Sequence, residues 1–252
     1  MNGISEVTAA RLKTMASAHL GDDIQATPVS PPQISHNLNG QRLGRKGRDT
    51  RKRILDAVHE MLAEASEEQI TLTAVARRAS LGMTTLYAYF NDLTELLLAV
   101  LEPIMETAEE SHVGLLRRRW DDAELDRCSL EFVTAYYAFW VKHSRLLHLR
   151  NTMSDAGDER MRLHRVQSAQ PMMSLFVLQM DGDLSKPRTP VFSMATVLMT
   201  GLERIVTVIT GDAIPFPSDQ PVNPRGLLLQ AEARLFELGV RDHRRLADRQ
   251  AG

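Results

Sequence analysis

One short segment carries side chains whose chemistry suits contact with a nucleic acid. Thr84 and Thr85 are followed by Tyr87 and Tyr89, with the small Ala88 between the two tyrosines. A threonine hydroxyl can hydrogen-bond the edge of a base, its methyl group can contact a thymine methyl, and a tyrosine hydroxyl can reach a phosphate. Short side chains would also let a helix come close to the major groove. The same residues are compatible with an ordinary exposed helix, so this segment alone leaves both interpretations open.

A basic cluster lies upstream of that segment. Residues 42–53 contain seven arginines and lysines and one acid, Asp49, in a chain whose formal net charge is only −2. Because lysine and arginine neutralise backbone phosphates, Arg45, Lys46 and Arg48 are candidates for phosphate contacts or for an arm in the minor groove. A solvated linker would have a similar composition. The position just before a helical motif favours the arm.

Apolar residues at helical spacing predict two helices that would support this region. Thr71 is placed where its hydroxyl can cap the start of the second helix. Small Ala76 would let a neighbouring helix cross closely. The apolar faces of the two helices are formed by Ile54, Val58, Met61, Leu62 and Ala65, and by Leu72, Val75, Ala76 and Ala79.

A tight turn predicts a third helix and a helix-turn-helix. Ser80-Leu81-Gly82 turns the chain, and the third helix is expected to begin near Met83. Leu86 and Phe90 would then face inward, four residues apart, and leave both threonines outside. This arrangement presents the hydroxyl-bearing side chains to a partner.

The stretch from residue 48 to residue 97 resembles the DNA-binding domain of the TetR family of transcriptional repressors. The resemblance lies in the spacing between the capping Thr71, the packed Ala76, the corner residue Leu81 and the run Leu86–Phe90. It implies a homodimer whose two amino-terminal domains read an inverted repeat of double-stranded DNA. It also implies a variable helical domain whose small apolar or amphipathic ligand releases the DNA, which makes the protein a regulator and not an enzyme.

The resemblance assigns roles to particular side chains. Contacts with bases are expected from Thr73, Thr84 and Thr85, and from Met83 unless its side chain turns inward. Phosphate contacts are expected from Thr71, Tyr87 and Tyr89, together with the basic residues Arg45, Lys46 and Arg48.

Three positions depart from the family pattern. Ser80 replaces a common turn glycine, Gly82 replaces a common capping serine or threonine, and Leu93 replaces a common phosphate-binding lysine. Loss of the cap and of the lysine would weaken the helix start and the hold on the DNA backbone. We therefore expect these three departures to affect the affinity for DNA more than the fold.

Length and composition are those of a globular protein. The 252 residues suffice for two domains, and the single Cys128 excludes an internal disulfide and a cysteine-rich zinc site. No run of 18 apolar residues is seen, and the first twenty residues lack a hydrophobic segment, so we expect neither membrane insertion nor secretion. A cytoplasmic location is expected.

Helical spacing continues to the end of the chain and predicts an all-α fold. One connecting helix is expected from about Leu93 to Arg119, kinked near residues 99–101 because Pro103 lies within it. The expected domains are a disordered extension (1–44), a three-helix helix-turn-helix DNA-binding domain (45–92), a larger helical ligand-binding and dimerisation domain (93–240) and a polar, frayed tail (241–252). Further helices are expected after Asp121-Asp122, at Arg145–Arg150, Asp158–Met180, Val191–Thr210 and Arg225–Leu238, with a loop at 151–157.

An aromatic stripe in the helix after Asp122 suits either a plain core or the wall of a ligand cavity. The candidates with polar groups are Tyr136, Trp140, His143 and His148. Met172 and Phe176 join them, because flexible methionine side chains adapt to irregular ligands. The two histidines are poorly placed to share a metal, and no metal, cofactor or catalytic motif is expected.

The last two helices suit pairing with a second copy. In the second of them, Leu228, Ala231, Leu235 and Leu238 form one seam. The resemblance implies a four-helix dimer interface from these helices. Closure of the monomer core is the alternative.

Overall fold

The structure, a computed structural model, describes residues 44–64, 68–186, 188–211 and 224–251. These residues form nine α-helices and one 3-10 turn and contain no strand, which confirms the all-α fold class. The elements are α1 (Arg45–Ala63), α2 (Leu72–Arg78), α3 (Met83–Tyr87), α4 (Leu93–Glu106), α5 (Ala108–Ser111), the 3-10 turn (Val113–Leu116), α6 (Leu125–Asp155), α7 (Glu159–Gln179), α8 (Pro190–Thr210) and α9 (Pro224–Ala251).

Helices α1 to α3 form a trihelical head around fully buried apolar side chains. Ile54 and Val58 of α1, Val75 of α2 and Leu86 of α3 have no exposed surface. Burying such side chains removes apolar surface from water and drives the packing of the three helices. Helices α2 and α3, with seven and five residues, are too short to be stable alone. The predicted helical faces are confirmed for the described residues, whereas Ala65 lies outside them.

The turn between α2 and α3 depends on a residue in the left-handed region. Ser80 has φ +52°, and its amide donates to the Arg77 carbonyl at 3.1 Å while the Leu81 amide donates to the Ala76 carbonyl at 2.9 Å. This pair of hydrogen bonds satisfies carbonyls that the helix end would otherwise leave unpaired. In the family pattern this position is commonly a glycine, and the backbone of Ser80 does adopt the left-handed conformation that glycine favours.

The two predicted helix starts differ in their caps. Thr71 accepts a hydrogen bond from the Ala74 amide at 3.1 Å, which confirms its capping role. Gly82 precedes α3 without any side-chain cap. Because α3 has only five residues, it depends on the inward packing of Leu86 more than on its own hydrogen bonds.

The predicted single helix from Leu93 to Arg119 is wrong. Helix α4 ends at Glu106, and α5 and the 3-10 turn follow it. The chain turns so tightly here that a Cβ atom on Gly114 would lie 2.9 Å from the carbonyl oxygen of Glu109. The turn therefore requires a glycine at this position. Pro103 is exposed and lies within α4, which runs through it as one helix from Leu93 to Glu106. The kink near residues 99–101 stays a prediction.

The structure also corrects the helix after Asp122. Helix α6 continues to Asp155 and is interrupted only at His143, whose φ of −118° and ψ of 17° are not helical. Most of the loop expected at 151–157 is therefore helix. Asn151 and Ser154 are buried, so this part of the helix packs against the rest of the protein. Gly157, at φ +96°, ends this stretch, and Asp158 caps α7 by accepting from the amides of Arg160 and Met161, both at 3.0 Å.

The predicted polar, frayed tail is wrong for residues 241–251, which continue α9. Arg244 is only 2% exposed and donates to the Gln179 carbonyl at 2.7 Å and to the Trp120 carbonyl at 2.8 Å. Gln179 in turn donates to the Leu116 carbonyl at 2.9 Å. A buried arginine satisfied by backbone carbonyls fixes this end of α9 to the 3-10 turn and to α7.

One sequence-based expectation concerns residues that the structure does not describe. The expected disorder of residues 1–44 lies outside the described residues except at Gly44. Among the described residues, one helix, α8, is long and apolar enough to cross a membrane by length and composition. Its inner face packs in the core through Ala195, Leu198, Leu202, Val206 and Ile209.

Candidate nucleic-acid interface and ligand cavity

The outer flank of the helix-turn-helix carries hydroxyl-bearing side chains that are exposed among the residues the structure describes. Thr84 and Thr85 are exposed, and Tyr87 is 50% exposed. Leu86, between them in sequence, is fully buried, so the orientation of α3 is fixed by its packing. Thr71 and Thr73, at the start of α2, are also exposed. The structure thus brings these five candidates to the surface of one helix-turn-helix.

Two other candidates on this segment are only partly accessible. Met83 and Tyr89 are half-buried and pack against the apolar core of the head. The sequence analysis anticipated that Met83 can turn inward. Leu93, which replaces the phosphate-binding lysine of the family pattern, is likewise packed against the core.

The basic residues before the motif are helical. Arg45, Lys46 and Arg48 are exposed in the first turn of α1. The amino end of a helix carries partial positive charge and unpaired N–H groups, which attract anions. Side chains fixed on a helix suit phosphate contacts better than insertion into a minor groove.

A cation–π contact joins helix α1 to Phe90, which lies three residues after the end of α3. The guanidinium carbon of Arg51 lies 5.3 Å from the centroid of the Phe90 ring. Elsewhere in the head, Arg78 pairs with Glu64 at 2.5 Å, and this hydrogen bond lowers the pKa of the Glu64 carboxyl. The basic surface of the head therefore comes mainly from residues 45–53.

A small cavity of about 30 Å³ lies between α4, α6, α7 and α8. Three of the six predicted ligand-binding residues line it: Tyr136, Trp140 and Met172. Tyr136 and Trp140 are buried and their rings lie 6.4 Å apart. Burial raises the pKa of the Tyr136 hydroxyl, which is neutral at physiological pH.

The other three predicted ligand-binding residues do not line this cavity. Phe176 is fully buried in the core, where its ring lies 4.7 Å from that of Phe236. His148 contacts Thr210, with 3.0 Å between Nε2 and Oγ1, and His143 occupies the kink of α6. The aromatic stripe therefore serves as both core and cavity wall, and the sequence could not divide the two roles.

Five polar residues of the cavity were not predicted from the sequence: His112, Arg150, Arg165, Ser168 and Glu203. The ring of His112 lies 5.1 Å from that of Tyr136 in an edge-on arrangement, and burial lowers its pKa to about 4. The available signal was a set of charged residues at helical spacing within apolar helices. The loop expected at residues 151–157 obscured it, because it ended the helix beside Arg150.

One arginine of α6 connects this helical body to the head. Arg145 donates through Nη1 to the carbonyls of Met61 and Glu64, the latter at 2.9 Å, and through Nη2 to the Glu68 carbonyl at 2.8 Å. These carbonyls belong to the end of α1 and to the segment after it. Arg145 therefore caps α1 from a helix that also lines the cavity.

The predicted seam of α9 faces outward. Leu235 and Leu238 are 44% and 45% exposed, Ala231 is exposed and Leu228 is half-buried. The opposite face of α9 packs inward through residues such as Phe236 and Val240. On α8, the neighbouring Val197 is 56% exposed. Closure of the monomer core therefore does not account for the seam.

Comparisons with known proteins agree with this geometry. No family model matches the sequence. A 128-residue stretch, 51% of the chain, is 23% identical to the HTH-type transcriptional regulator SAB2452 of Staphylococcus aureus, and a 91-residue stretch is 34% identical to the HTH-type transcriptional repressor KstR of Rhodococcus jostii. The matches cover 65% and 35% of these relatives, so the chain spans less than two thirds of their length.

The fold resembles that of a solved structure, SCO7518. SCO7518 of Streptomyces coelicolor A3(2), assigned as a transcriptional regulator, is 17% identical, with a TM-score of 0.51 over 75% of this chain and 98% of that one. A TetR-like transcriptional regulator from Rhodococcus sp. RHA1 is 18% identical over 82% of this chain and 99% of that one, with a TM-score of 0.49.

Proposed function

We propose that this chain, which resembles the TetR family of transcriptional regulators in its motif and its all-helical fold, is a sequence-specific DNA-binding regulator. The observation that carries the proposal is the outer flank of α3, where Thr84, Thr85 and Tyr87 are exposed while Leu86 fixes the helix from within. Helices that enter the major groove present short polar side chains in this way. DNA binding would place the protein in the cytoplasm.

The proposed roles follow from exposure and position. Thr73, Thr84 and Thr85 contact base edges, while Thr71 and Tyr87 contact phosphates. The half-buried Met83 and Tyr89 have secondary roles at the rim. Arg45, Lys46 and Arg48 hold the DNA backbone from the amino end of α1. In this assignment residues 45–92 are the DNA-binding domain, and residues 93–240 bind the ligand and the second copy.

Two-fold pairing through α8 and α9 would make the target an inverted repeat. The outward seam of α9 is an apolar surface of the kind that a second copy covers. In a helix-turn-helix dimer the two recognition helices lie about 34–36 Å apart or somewhat more, so that both enter the major groove on one side of the duplex.

We propose that regulation is repression relieved by a small apolar or amphipathic ligand in the cavity of the helical body. Arg145 supplies a physical link, because it lies on the helix that lines the cavity and hydrogen-bonds the end of α1. A ligand that shifts α6 would change the position of the head.

The test is selection of bound duplexes from a random pool, followed by binding measurements on the selected sequence. An inverted repeat supports the proposal. Thr85→Ala should change the preference at one base position of each half-site, whereas Tyr87→Ala should weaken binding to all duplexes alike. Thr134→Ala changes an exposed helical threonine of α6, outside the helix-turn-helix, and is the matched control, which should bind as the unmodified chain does.

A second candidate function is a ligand-binding or interaction module that lacks specific operator binding. It is favoured by the uncapped start of α3 at Gly82 and by the packed Leu93 in place of a lysine. Salt-sensitive binding to any duplex does not separate the two, since basic residues produce it unaided. Failure to enrich any sequence from the pool would favour the second candidate.

A further inference from the structure

The cavity is lined by both charged and apolar side chains. Its charged residues are Arg150, Arg165 and Glu203. Aromatic and thioether side chains also line it, among them Phe139, Trp140, Met105, Met172 and Met199. A lining of this composition suits a molecule with one charged end and one apolar end.

The guanidinium of Arg150 is buried without using all its donors. Arg150 is 5% exposed. Its Nε donates to Asn151 Oδ1 at 3.0 Å, and its Nη2 lies 3.4 Å from Glu203 Oε1. Nη1 forms no hydrogen bond with the residues that the structure describes, so this nitrogen remains available to an additional acceptor.

Glu203 is shared unequally between two arginines. Its carboxylate accepts from Nε and Nη2 of Arg165, both at 2.9 Å, and lies farther from Arg150 and from Asn151 Nδ2, the latter at 3.3 Å. Arg165 also donates to Asp155 Oδ1 at 3.1 Å, so it has two carboxylate partners, whereas the contact of Arg150 with Glu203 is 3.4 Å long. His112 adds no charge, because burial holds its pKa at about 4. Arg150 is therefore the more weakly paired of the two arginines.

We propose that the cavity binds an amphipathic acid, with its carboxylate on Arg150 and its apolar chain among the aromatic and methionine side chains. A carboxylate suits the planar guanidinium, which can hold both of its oxygens. This inference names the class of the regulatory ligand and in that respect rests on the proposed function. The binding itself requires no DNA.

The cavity must widen to take such a ligand. Its volume of about 30 Å³ accommodates roughly two water molecules, and small-molecule sites are typically about 300 Å³ or more. Met105, Met172 and Met199 have unbranched side chains that can adopt other rotamers. Because α6 lines the cavity and also carries Arg145, widening would be transmitted to the end of α1.

The first test compares octanoate with 1-octanol by isothermal titration calorimetry on the full chain. The two probes share a tail and differ in charge. We expect one octanoate per chain and an affinity for 1-octanol lower by about tenfold, the effect of one charge-assisted hydrogen bond. Equal affinities, or no octanoate binding at millimolar concentration, would overturn the inference.

Three variants locate the carboxylate. Arg150→Met keeps the length and apolar volume of the side chain but removes the cation, and should weaken octanoate binding by about tenfold while sparing 1-octanol. Glu203→Gln removes the competing carboxylate and should strengthen octanoate binding. Arg162→Met, at an exposed arginine of α7 that does not line the cavity, should change neither. If Arg150→Met does not fold, Glu203→Gln decides alone, and an unchanged or weaker octanoate affinity contradicts the inference.

The outcomes separate this inference from the proposed function. Octanoate binding that leaves the selected duplex bound would support the site and contradict ligand-induced release. Loss of sequence-specific DNA binding would leave the calorimetric result intact, because both probes are titrated without DNA.

Discussion

At the scale of single residues, the backbone conformation of Ser80 lowers the stability of the folded protein by an amount that can be measured. A residue with a Cβ atom at φ +52° is less stable than glycine there, because the side chain crowds the following carbonyl. We expect Ser80→Gly to raise the free energy of unfolding by about 0.5–1 kcal/mol, since the gain in the turn exceeds the entropy added to the unfolded chain. Urea denaturation measures the change. Ser80→Ala keeps the crowding and should bring no gain.

Glu232 is a second residue whose environment gives a directional prediction. It is 3% exposed, its Oε1 has no hydrogen-bond partner, and burial raises its pKa from 4.5 to about 7. The folded state therefore binds a proton more tightly than the unfolded state. Below pH 4.5 the Glu232 carboxyl is protonated in both states, and its burial does not reduce the free energy of unfolding through ionisation. As the pH rises toward 7, the folded state is progressively destabilised relative to the unfolded state.

Glu232→Gln should accordingly stabilise the protein at pH 8, and the gain should shrink as the pH falls from 7 toward 4.5. The full shift would correspond to about 3 kcal/mol, and partial solvation reduces the expected gain to about 1 kcal/mol. Thermal unfolding at a fixed protein concentration measures it. A gain that is equal at pH 5 and pH 8 would contradict the assignment. Glu131→Gln, at an exposed glutamate of α6, provides the control.

At the scale of elements, the link between α6 and α1 depends on Arg145. A planar guanidinium can donate to three carbonyls in fixed directions, which an alanine or lysine side chain cannot do. Arg145→Ala should destabilise the end of α1 by about 2 kcal/mol and speed hydrogen exchange at Met61–Glu64. Lys142→Ala, on the same helix and exposed, should leave that exchange unchanged. Equal protection in both variants would show that the link is not held by this residue.

Some elements could be predicted from the sequence and others could not. The helix-turn-helix was predictable because its turn, its cap and its inward residues all act locally, within a few positions of one another. The ends of α4, α6 and α9 were not, because they depend on partners distant in sequence. Arg244 illustrates the reason: it looked like a tail residue, yet its partner Trp120 is 124 positions away.

The cavity was predictable only in part for a similar reason. Tyr136, Trp140 and Met172 share a helical pattern that suits a cavity wall, whereas Phe176 has the same pattern and lies in the core. Arg150 and Glu203 are 53 positions apart and meet only through the packing of α6 against α8. No local periodicity marks such a pair.

At the scale of the whole molecule, the outward seam of α9 predicts a dimer. Leu238→Glu places a charge within the apolar seam, where pairing would bury it, and should convert the dimer to a monomer at micromolar concentration. Sedimentation velocity measures the mass. Leu163→Glu, at a residue of α7 that is 50% exposed, introduces the same charge outside the seam and should leave the dimer intact. A monomeric unmodified chain would contradict the proposed pairing.

The contact of Arg244 with the carbonyls of Trp120 and Gln179 also has a consequence for biosynthesis. A ribosome makes the acceptors long before it makes the donor, so the nascent helical body carries unpaired carbonyls until the final helix emerges. The trihelical head needs no partner later in the chain than Arg145 and can fold first. Ribosome-bound chains arrested before residue 244 should therefore show a protease-resistant head and a body that is still cleaved.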